Sequence, residues 1–168
     1  MTEDVVAGIV EQWARERPDL DAAPMLVIGR LLRLGHVLDV RLRPPFAATD
    51  LANGDFDVLA ALRRAGAPFT ARPVDLSRSL LVTTGAITKR LDRLEAQGYV
   101  ERESADGDGR GKLVRLTPTG KETADRLIAV HLANQDRLLA GLTGPERDRL
   151  ATLLGRLAGA LEREDEPP

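Results

Sequence analysis

The sequence predicts a mainly α-helical chain that carries one small β-hairpin, an α+β fold. Long segments near both ends of the 168-residue chain have apolar residues at helical spacing. Between them, the stretch VTTGAITKRLDRLEAQGYVERESADGDGRGKLVRLT (82–117) indicates a helix ending at Gly98, a strand, a loop rich in Gly and Asp, and a return strand. A helix that leads directly into a hairpin with a basic tip is the arrangement of a winged helix.

Composition restricts the function before any motif is considered. The chain has no cysteine, which excludes disulfides, thiolate metal sites and thiol redox sensing. Its two histidines, His36 and His131, are far apart in the sequence, so we expect no metal site and no cofactor. Aromatic residues make up only 3%, too few for the stacking platforms of a protein that binds single-stranded nucleic acid.

Neither a membrane span nor an export signal is expected. The longest stretch without a charged residue, Ser79–Thr88, has ten residues, about half the length of a spanning helix. The N-terminal sequence MTEDVVAGIV opens with acidic residues, unlike a signal peptide. We therefore expect a cytoplasmic protein.

The charged residues are unevenly distributed, although the net charge is only −2. Residues 70–121 hold ten Lys/Arg against seven Asp/Glu, whereas residues 1–69 hold eight against ten and residues 122–168 hold six against nine. This modest excess of positive charge in the middle segment is compatible with a nucleic-acid-binding surface there.

Two amphipathic helices are predicted within an N-terminal region, residues 1–48. The first covers residues 3–17 and ends before Pro18; its apolar face carries Val6, Ile9, Val10 and Trp13. The second covers residues 21–43, between a capping Asp21 and the pair Pro44-Pro45.

Residues 49–117 are predicted to form a winged helix-turn-helix. Residues 49–65 form a helix, or a turn followed by a helix that is broken near Asn53-Gly54. A short helix at 73–81 and a longer one at Thr84–Gln97 are joined by a tight turn, with Thr83 as the cap of the second. Strands at 99–103 and 112–117, with a loop at 104–111, complete the hairpin.

The C-terminal region, residues 118–168, is predicted to hold two long helices. Thr117-Pro118 begins one that extends to about residue 140, and the capping box Thr143–Glu146 begins the other. The last helix carries a stripe of Leu150, Leu153, Leu154, Leu157 and Leu161. A compact winged helix does not need these two helices or the first one, so we expect them to join two copies in a homodimer.

The helix at Thr84–Gln97 has the pattern of a recognition helix. Ile87, Leu91 and Leu94 share one face, and Lys89 lies nearly opposite. A small, polar and then basic outer face suits entry into the DNA major groove. The residues expected to contact double-stranded DNA are Thr84, Gly85, Thr88, Lys89, Arg93 and, in the hairpin loop, Arg110. An ordinary solvated helix face and a solvent-exposed turn are the alternatives.

Arg90 lies on the flank of the core face of the same helix, where an arginine must extend to solvent or find a partner. A buried carboxylate or an anionic ligand would serve equally well. The helical wheel does not decide whether Arg90 extends to solvent, pairs with a buried carboxylate or binds an anionic ligand.

The pattern resembles the MarR family of bacterial transcription regulators. The match rests on ITKRLDRLEAQGYVERE, on D-x-R at Asp108–Arg110 and on LTPTG at 116–120. The resemblance implies a dimeric winged helix-turn-helix that binds a pseudo-palindromic operator, usually as a repressor. The hairpin loop lacks the additional arginines common in this family and has Gly107 and Gly109 instead, which bears on operator affinity rather than on the fold.

A closer resemblance is to the urate-responsive subgroup of that family, which has an additional N-terminal helix with a tryptophan. The ligand residues that this implies are Trp13 in QWAR, Asp57 in FDVLAAL, Arg90 in TKRLDRL and Arg102 in YVERE. Asp57 is expected to pair with Arg90 in the free protein, and an arriving anion would compete for Arg90 and move the recognition helix. Trp13 could instead be a core residue, Asp57 a solvated carboxylate, and Arg102 a phosphate contact.

Three functions follow from these patterns. The first is a homodimeric repressor released from DNA by a small anionic ligand such as urate. The second responds to another aromatic or carboxylate anion, and the third uses the winged helix for protein contacts. An enzyme is not expected, because the sequence shows no nucleophile–base pair, metal cluster or phosphate-binding loop.

Overall fold

The computed structural model of the chain describes residues 4–43, 49–52, 54–104 and 112–164. The chain is mostly helical with a small antiparallel sheet, so the predicted fold class is confirmed. It forms two compact units, Met1–Asp50 and Leu51–Pro168. The elements are α1 (Val5–Glu16), α2 (Pro24–Arg41), α3 (Asp55–Arg64), β1 (Thr70–Ala71), α4 (Pro73–Ser79), α5 (Thr84–Ala96), β2 (Val100–Ser104), β3 (Lys112–Leu116), α6 (Pro118–Leu138) and α7 (Gly144–Glu164). Within these described residues, no helix combines the length and apolar character that a membrane crossing requires.

The first unit is a pair of packed helices, α1 and α2. Asp4 caps α1 by accepting hydrogen bonds from the backbone N–H groups of Val6 and Ala7. Arg30 of α2 forms an ion pair with the same carboxylate at 2.5 Å. Val6 is buried close to Gly29 of α2, where a Cβ would lie 3.0 Å from Val6 Cγ1. The small residue therefore lets the two helices approach.

The predicted cap of α2 by Asp21 is wrong. The helix begins at Pro24, and the Asp21 carboxylate accepts a hydrogen bond from the N–H of Ala23 at 2.9 Å, ahead of the first turn. Ala23 already has helical backbone angles and provides no side-chain cap. Because proline at the first helical position has no N–H, this terminus has one donor fewer to satisfy.

The sheet of the second unit has three strands in the order β1-β3-β2, rather than the two strands of the predicted hairpin. β2 pairs antiparallel with β3, with Val100 opposite Leu116. β1 pairs with the other edge of β3, with Thr70 opposite Arg115. β1 was not predicted because two residues are too few to show an alternating pattern.

The core of the second unit confirms the predicted face of α5. Ile87, Leu91 and Leu94 are buried and pack in one cluster with residues from α3, α4, the sheet and α6. Those partners include Val58, Leu59, Leu62, Leu76, Val100, Val114, Leu116 and Ala124. α3 begins only at Asp55, after a turn in which Gly54 has φ +82°, so the second alternative for residues 49–65 is correct.

The start of α6 is fixed to the junction between α5 and β2. Thr117 caps α6 by accepting a hydrogen bond from the N–H of Gly120 at 3.0 Å, and its hydroxyl donates to the carbonyl oxygen of Gly98 at 2.7 Å. The N–H of Thr117 donates to the carbonyl oxygen of Tyr99 at 3.1 Å. A Cβ on Gly120 would lie 1.9 Å from that same oxygen, so the close approach requires glycine. The LTPTG motif therefore connects the start of α6 to the segment between α5 and β2.

The start of α7 forms one of the two hydrogen bonds of the predicted capping box, the one from the Thr143 N–H to the Glu146 side chain. Glu146 accepts hydrogen bonds from the Thr143 N–H at 2.8 Å and from the Thr143 hydroxyl at 2.6 Å. Four of the five leucines of the α7 stripe remain exposed in the single chain, as do several apolar residues of α6 and its C-cap; the exposed residues are Val130, Leu132, Leu139, Leu150, Leu153, Leu154 and Leu161. An apolar stripe of this extent is typical of a surface that another protein covers.

Candidate nucleic-acid interface

α4 and α5 form the predicted helix-turn-helix. Leu76 of α4 is buried in the core cluster with α5. Thr83 caps α5 by accepting a hydrogen bond from the N–H of Ala86 at 3.2 Å, and Gly98 after the helix has φ +75°. In the turn between the helices, Leu81 is 94% exposed and has φ +52°, an unusual combination for a leucine. The boundaries of α5 predicted from its cap and its terminal glycine are confirmed within one residue.

The outer face of α5 is exposed where the sequence predicts DNA contacts. Thr84, Gly85, Thr88 and Lys89 are all exposed. The Thr88 hydroxyl donates to the carbonyl oxygen of Thr84 at 2.9 Å, which fixes its rotamer while its oxygen can still accept a hydrogen bond. Arg110 lies outside the described residues.

The predicted place of Arg93 on the outer face of α5 suggested a side chain that extends freely into solvent. In the structure its guanidinium is instead bound to a carboxylate. Its Nε and Nη2 donate to the two carboxylate oxygens of Asp55 at 3.2 and 2.6 Å. Asp55 is fully buried at the start of α3, whereas the Arg93 side chain remains 43% exposed. The hydrogen bonds to Asp55 raise the pKa of Arg93, so the guanidinium stays charged.

Arg90 is half-buried and lies against the turn that precedes α3. Its Nη1 donates to the carbonyl oxygen of Gly54 at 3.2 Å. A Cβ on Gly54 would lie 2.3 Å from the guanidinium carbon, so the arginine occupies the space that the missing side chain leaves. The sequence suggested solvent, a buried carboxylate or an anionic ligand as the partner of Arg90. The partner in the structure is a neutral backbone carbonyl.

The expected pairing of Asp57 with Arg90 is wrong for this structure. Asp57 is exposed on α3, and among the described residues it forms no ion pair. The carboxylate that reaches α5 is instead Asp55, two residues earlier, and it pairs with Arg93. Two residues along a helix are about 200° apart around its axis, so only one of these two aspartates can face α5.

The other two predicted ligand residues, Trp13 and Arg102, lie in different units of the chain and have different surroundings. Trp13 belongs to the first unit and is 47% exposed, so within that unit it is not a core residue. Arg102 of β2 is held by two carboxylates of α5, with Nη2 2.5 Å from Asp92 and Nη1 2.5 Å from Glu95. These contacts, the hydrogen bond to Asp92 first, raise the pKa of Arg102. Arg102 therefore joins β2 to α5.

A cross-strand ion pair supports the base of the hairpin. Arg115 of β3 lies opposite Glu101 of β2, and its Nε donates to that carboxylate at 2.9 Å. Glu103, also on β2, forms a second ion pair with Arg115. Opposite charges facing each other across an antiparallel pair stabilise its register.

The comparison with known proteins gives the family. A profile of the MarR family matches residues 49–111. The transcriptional regulator PecS of Dickeya dadantii (strain 3937) is 40% identical over 152 residues, covering 90% of this chain and 92% of PecS. This chain belongs to the MarR family. MarR family proteins are non-enzymatic, DNA-binding transcriptional regulators that generally dimerise, so the surface formed by α4 and α5 belongs to a DNA-binding protein.

Solved MarR family structures share the fold. A point mutant of Escherichia coli MarR in complex with operator DNA is 30% identical to this chain, with a TM-score of 0.67, covering 86% of this chain and 96% of that one. BpsR of Bordetella bronchiseptica, solved to explain regulation of its DNA binding by 6-hydroxynicotinic acid, is 23% identical, with a TM-score of 0.68, covering 78% of this chain and 92% of that one. The likeness to BpsR is one of fold.

Membership of the MarR family does not assign individual residues. The DNA contacts predicted for Thr84, Gly85, Thr88, Lys89, Arg93 and Arg110 stay predictions, as do the ligand contacts predicted for Trp13, Asp57, Arg90 and Arg102. The residue that sequence reasoning missed is Asp55. Its one signal is an acidic residue in the first turn of a helix, which usually indicates only a favourable dipole interaction.

Proposed function

We propose that this MarR family regulator is a homodimeric repressor that a small anionic ligand releases from a pseudo-palindromic operator, with urate as the first candidate ligand. The observation that supports the proposal best is the position of Arg90. This cation lies half-buried on the recognition helix, and among the described residues it has a carbonyl partner but no carboxylate. A charged donor with only a neutral acceptor is a suitable seat for an anion.

The chemistry of urate fits such a seat. Urate is a planar monoanion near neutral pH, and a guanidinium offers planar N–H donors together with a positive charge. An anionic acceptor forms a stronger hydrogen bond with Arg90 than the Gly54 carbonyl does. Binding would draw the guanidinium away from Gly54, and a ligand that prefers the displaced helix shifts the population away from the DNA-binding state.

The same proposal revises the expected role of Asp57. A competition for Arg90 between the ligand and Asp57 is no longer needed, because Arg90 and Asp57 are not paired. Asp57 is an exposed acceptor for a ligand N–H group. Arg102 already has two carboxylate partners, so it is the weakest of the four as a ligand residue.

The homodimer part of the proposal rests on exposed apolar surface. α1, α6 and α7 carry apolar side chains that the single chain leaves exposed, including Ile9, Val130, Leu150 and Leu154. A dimer would present two copies of α5, and half-sites about one helical turn apart, ~34 Å, would meet both. DNA binding should weaken steeply with salt, because phosphate contacts release counterions.

A thermal-melt screen tests the ligand. Urate at about 100 times its dissociation constant should stabilise the protein by ~2.7 kcal/mol, which raises Tm by roughly 5–10 °C in a chain of this size. Arg90→Ala should abolish the rise, whereas Arg126→Ala, an exposed arginine on α6, should retain it. No rise in Tm with urate but a rise with salicylate or 6-hydroxynicotinate would replace urate with an aromatic carboxylate as the ligand.

A gel-shift assay tests the repressor. The duplex should be the region upstream of the coding sequence, and the ligand should release it from the wild-type protein but not from Arg90→Ala. No shifted band at low salt would contradict operator binding, and an increase of binding with ligand would contradict release.

A further inference from the structure

We propose that Asp55 is a positioning residue for DNA binding, which holds Arg93 so that the outer edge of its guanidinium faces a DNA phosphate. The inference rests on the proposed function, because it assumes that α5 approaches DNA. It assigns a role to a buried carboxylate that the proposed ligand response does not use.

The geometry of the pair leaves one edge of the guanidinium available. Asp55 takes the side edge, formed by Nε and Nη2 of Arg93. In the part of the chain that the structure describes, Nη1 of Arg93 makes no hydrogen bond. The outer edge, formed by Nη1 and the second N–H of Nη2, can therefore bind the two oxygens of a phosphate. The 43% exposure of the side chain makes that edge accessible.

The carboxylate itself cannot follow a moving arginine. Asp55 is fully buried, and its Oδ2 also accepts a hydrogen bond from the backbone N–H of Ala52 at 3.0 Å. It lies in the first turn of α3, directly after Gly54 with φ +82°. Arg93 is therefore anchored to a fixed point, and the rotamer freedom of its side chain is lost before DNA arrives rather than on binding.

Arg90 and Arg93 thus have different attachments to the same turn. Arg90 donates to a neutral carbonyl, and Arg93 to a buried carboxylate in a charge-assisted, two-point contact. A buried carboxylate that loses its partner is strongly destabilised, whereas a carbonyl that loses one donor is not. The first residue of α3 therefore holds α5 firmly at Arg93, while Arg90, one helical turn earlier, can leave the Gly54 carbonyl.

If Asp55 positions Arg93, Asp55→Asn should lower the affinity for DNA, whereas simple electrostatics predicts that it raises the affinity. Removing a negative charge near DNA should tighten binding if charge alone matters. Losing the anchor of Arg93 should weaken binding by about two- to tenfold, the range for ordering one long side chain at an interface. The sign of the change separates the two.

The experiment uses a duplex that the wild-type protein selects from a random pool, and measures binding by fluorescence anisotropy between about 50 and 200 mM salt. Arg93→Gln should weaken binding and reduce the slope of log K against log salt by about 0.9, the value for one phosphate contact. Asp55→Asn should weaken binding with an unchanged slope, because the contact still forms. The double variant should match Arg93→Gln alone, because Asp55 acts only through Arg93.

Two controls separate positioning from folding and from charge. Circular dichroism should show every variant fully folded at the assay temperature, since a structural role alone would leave the affinity of folded protein unchanged. Glu122→Gln, an exposed charge loss on α6, should not weaken binding. If a variant is unfolded at that temperature, the comparison is made at a lower temperature at which circular dichroism shows all variants folded.

An unchanged salt slope for Arg93→Gln overturns the inference, and so does binding by Asp55→Asn that equals or exceeds that of the wild type. Wild-type protein that binds no duplex even at low salt overturns the proposed function and this inference with it. Normal wild-type binding with either of the first two results overturns only the role of Asp55.

Discussion

Gly120→Ala should destabilise the protein, although replacing glycine by alanine inside a helix normally stabilises it by ~1 kcal/mol. Gly120 lies in the first turn of α6, and a Cβ there would be 1.9 Å from the carbonyl oxygen of Tyr99. That contact is with backbone, which cannot rotate away as a side chain could. The start of α6 and the junction before β2 must therefore separate.

The magnitude follows from what the separation disrupts. Overpacking typically costs about 1–3 kcal/mol, and the shortness of this contact places it at the upper end. The hydrogen bond from the Thr117 N–H to the Tyr99 carbonyl and the one from the Thr117 hydroxyl to the Gly98 carbonyl contribute about 1 kcal/mol each. After the helix-propensity gain of alanine is subtracted, the net loss is about 3–4 kcal/mol.

The assay is thermal unfolding by circular dichroism at fixed protein concentration, since Tm depends on concentration in an oligomer. A loss of this size lowers Tm by roughly 6–16 °C in a chain of this length. Gly35→Ala in α2 is the control, because nothing lies within 4 Å of its added Cβ, and its Tm should not fall. A Tm for Gly120→Ala equal to that of the wild type would refute the reasoning.

Two further predictions concern the turn and an acid-sensitive ion pair. Leu81→Asn should raise the free energy of unfolding by about 0.5–1 kcal/mol in chemical denaturation, because asparagine tolerates positive φ better than leucine, whereas Leu81→Ala should give no such gain. Hydrogen bonds from Lys121 and then Arg63 lower the pKa of Asp125, so its stabilising effect is complete above about pH 4 and is lost as pH falls through the lowered value. Asp125→Asn should therefore lower Tm more at about pH 6 than at about pH 3, and a Tm loss that is equal at both pH values would contradict this; Glu122→Gln serves as the control.

Local signals in the sequence predict much of this fold because the structure satisfies them locally. Thr83 accepts the hydrogen bond that its cap requires, and Glu146 accepts the hydrogen bond from the Thr143 N–H that a capping box requires. Ile87, Leu91 and Leu94 repeat at helical spacing, and all three are buried. Such signals depend on one helix and its ends, so they do not require knowledge of the tertiary fold.

The arginines of α5 show where local signals fail. A helical wheel gives the direction of Arg90 and Arg93 from their own axis, but not what a neighbouring element places there. The turn before α3 brings the Gly54 carbonyl and the buried Asp55 to them from far away in the sequence. The family resemblance predicted Asp57 as the acidic partner of Arg90. In the structure the aspartate that reaches α5 is Asp55, on the opposite face of α3, and it pairs with Arg93.

The attachment of Arg102 to Asp92 and Glu95 has a mechanical consequence. These ion pairs join β2 to α5, and the Thr117 hydroxyl closes the junction that follows the helix. β2 and α5 should therefore move together when either of them is displaced. In the proposed ligand response, a ligand that displaces α5 at Arg90 would therefore also displace β2, so the DNA contacts proposed for α5 should be lost together rather than one after the other.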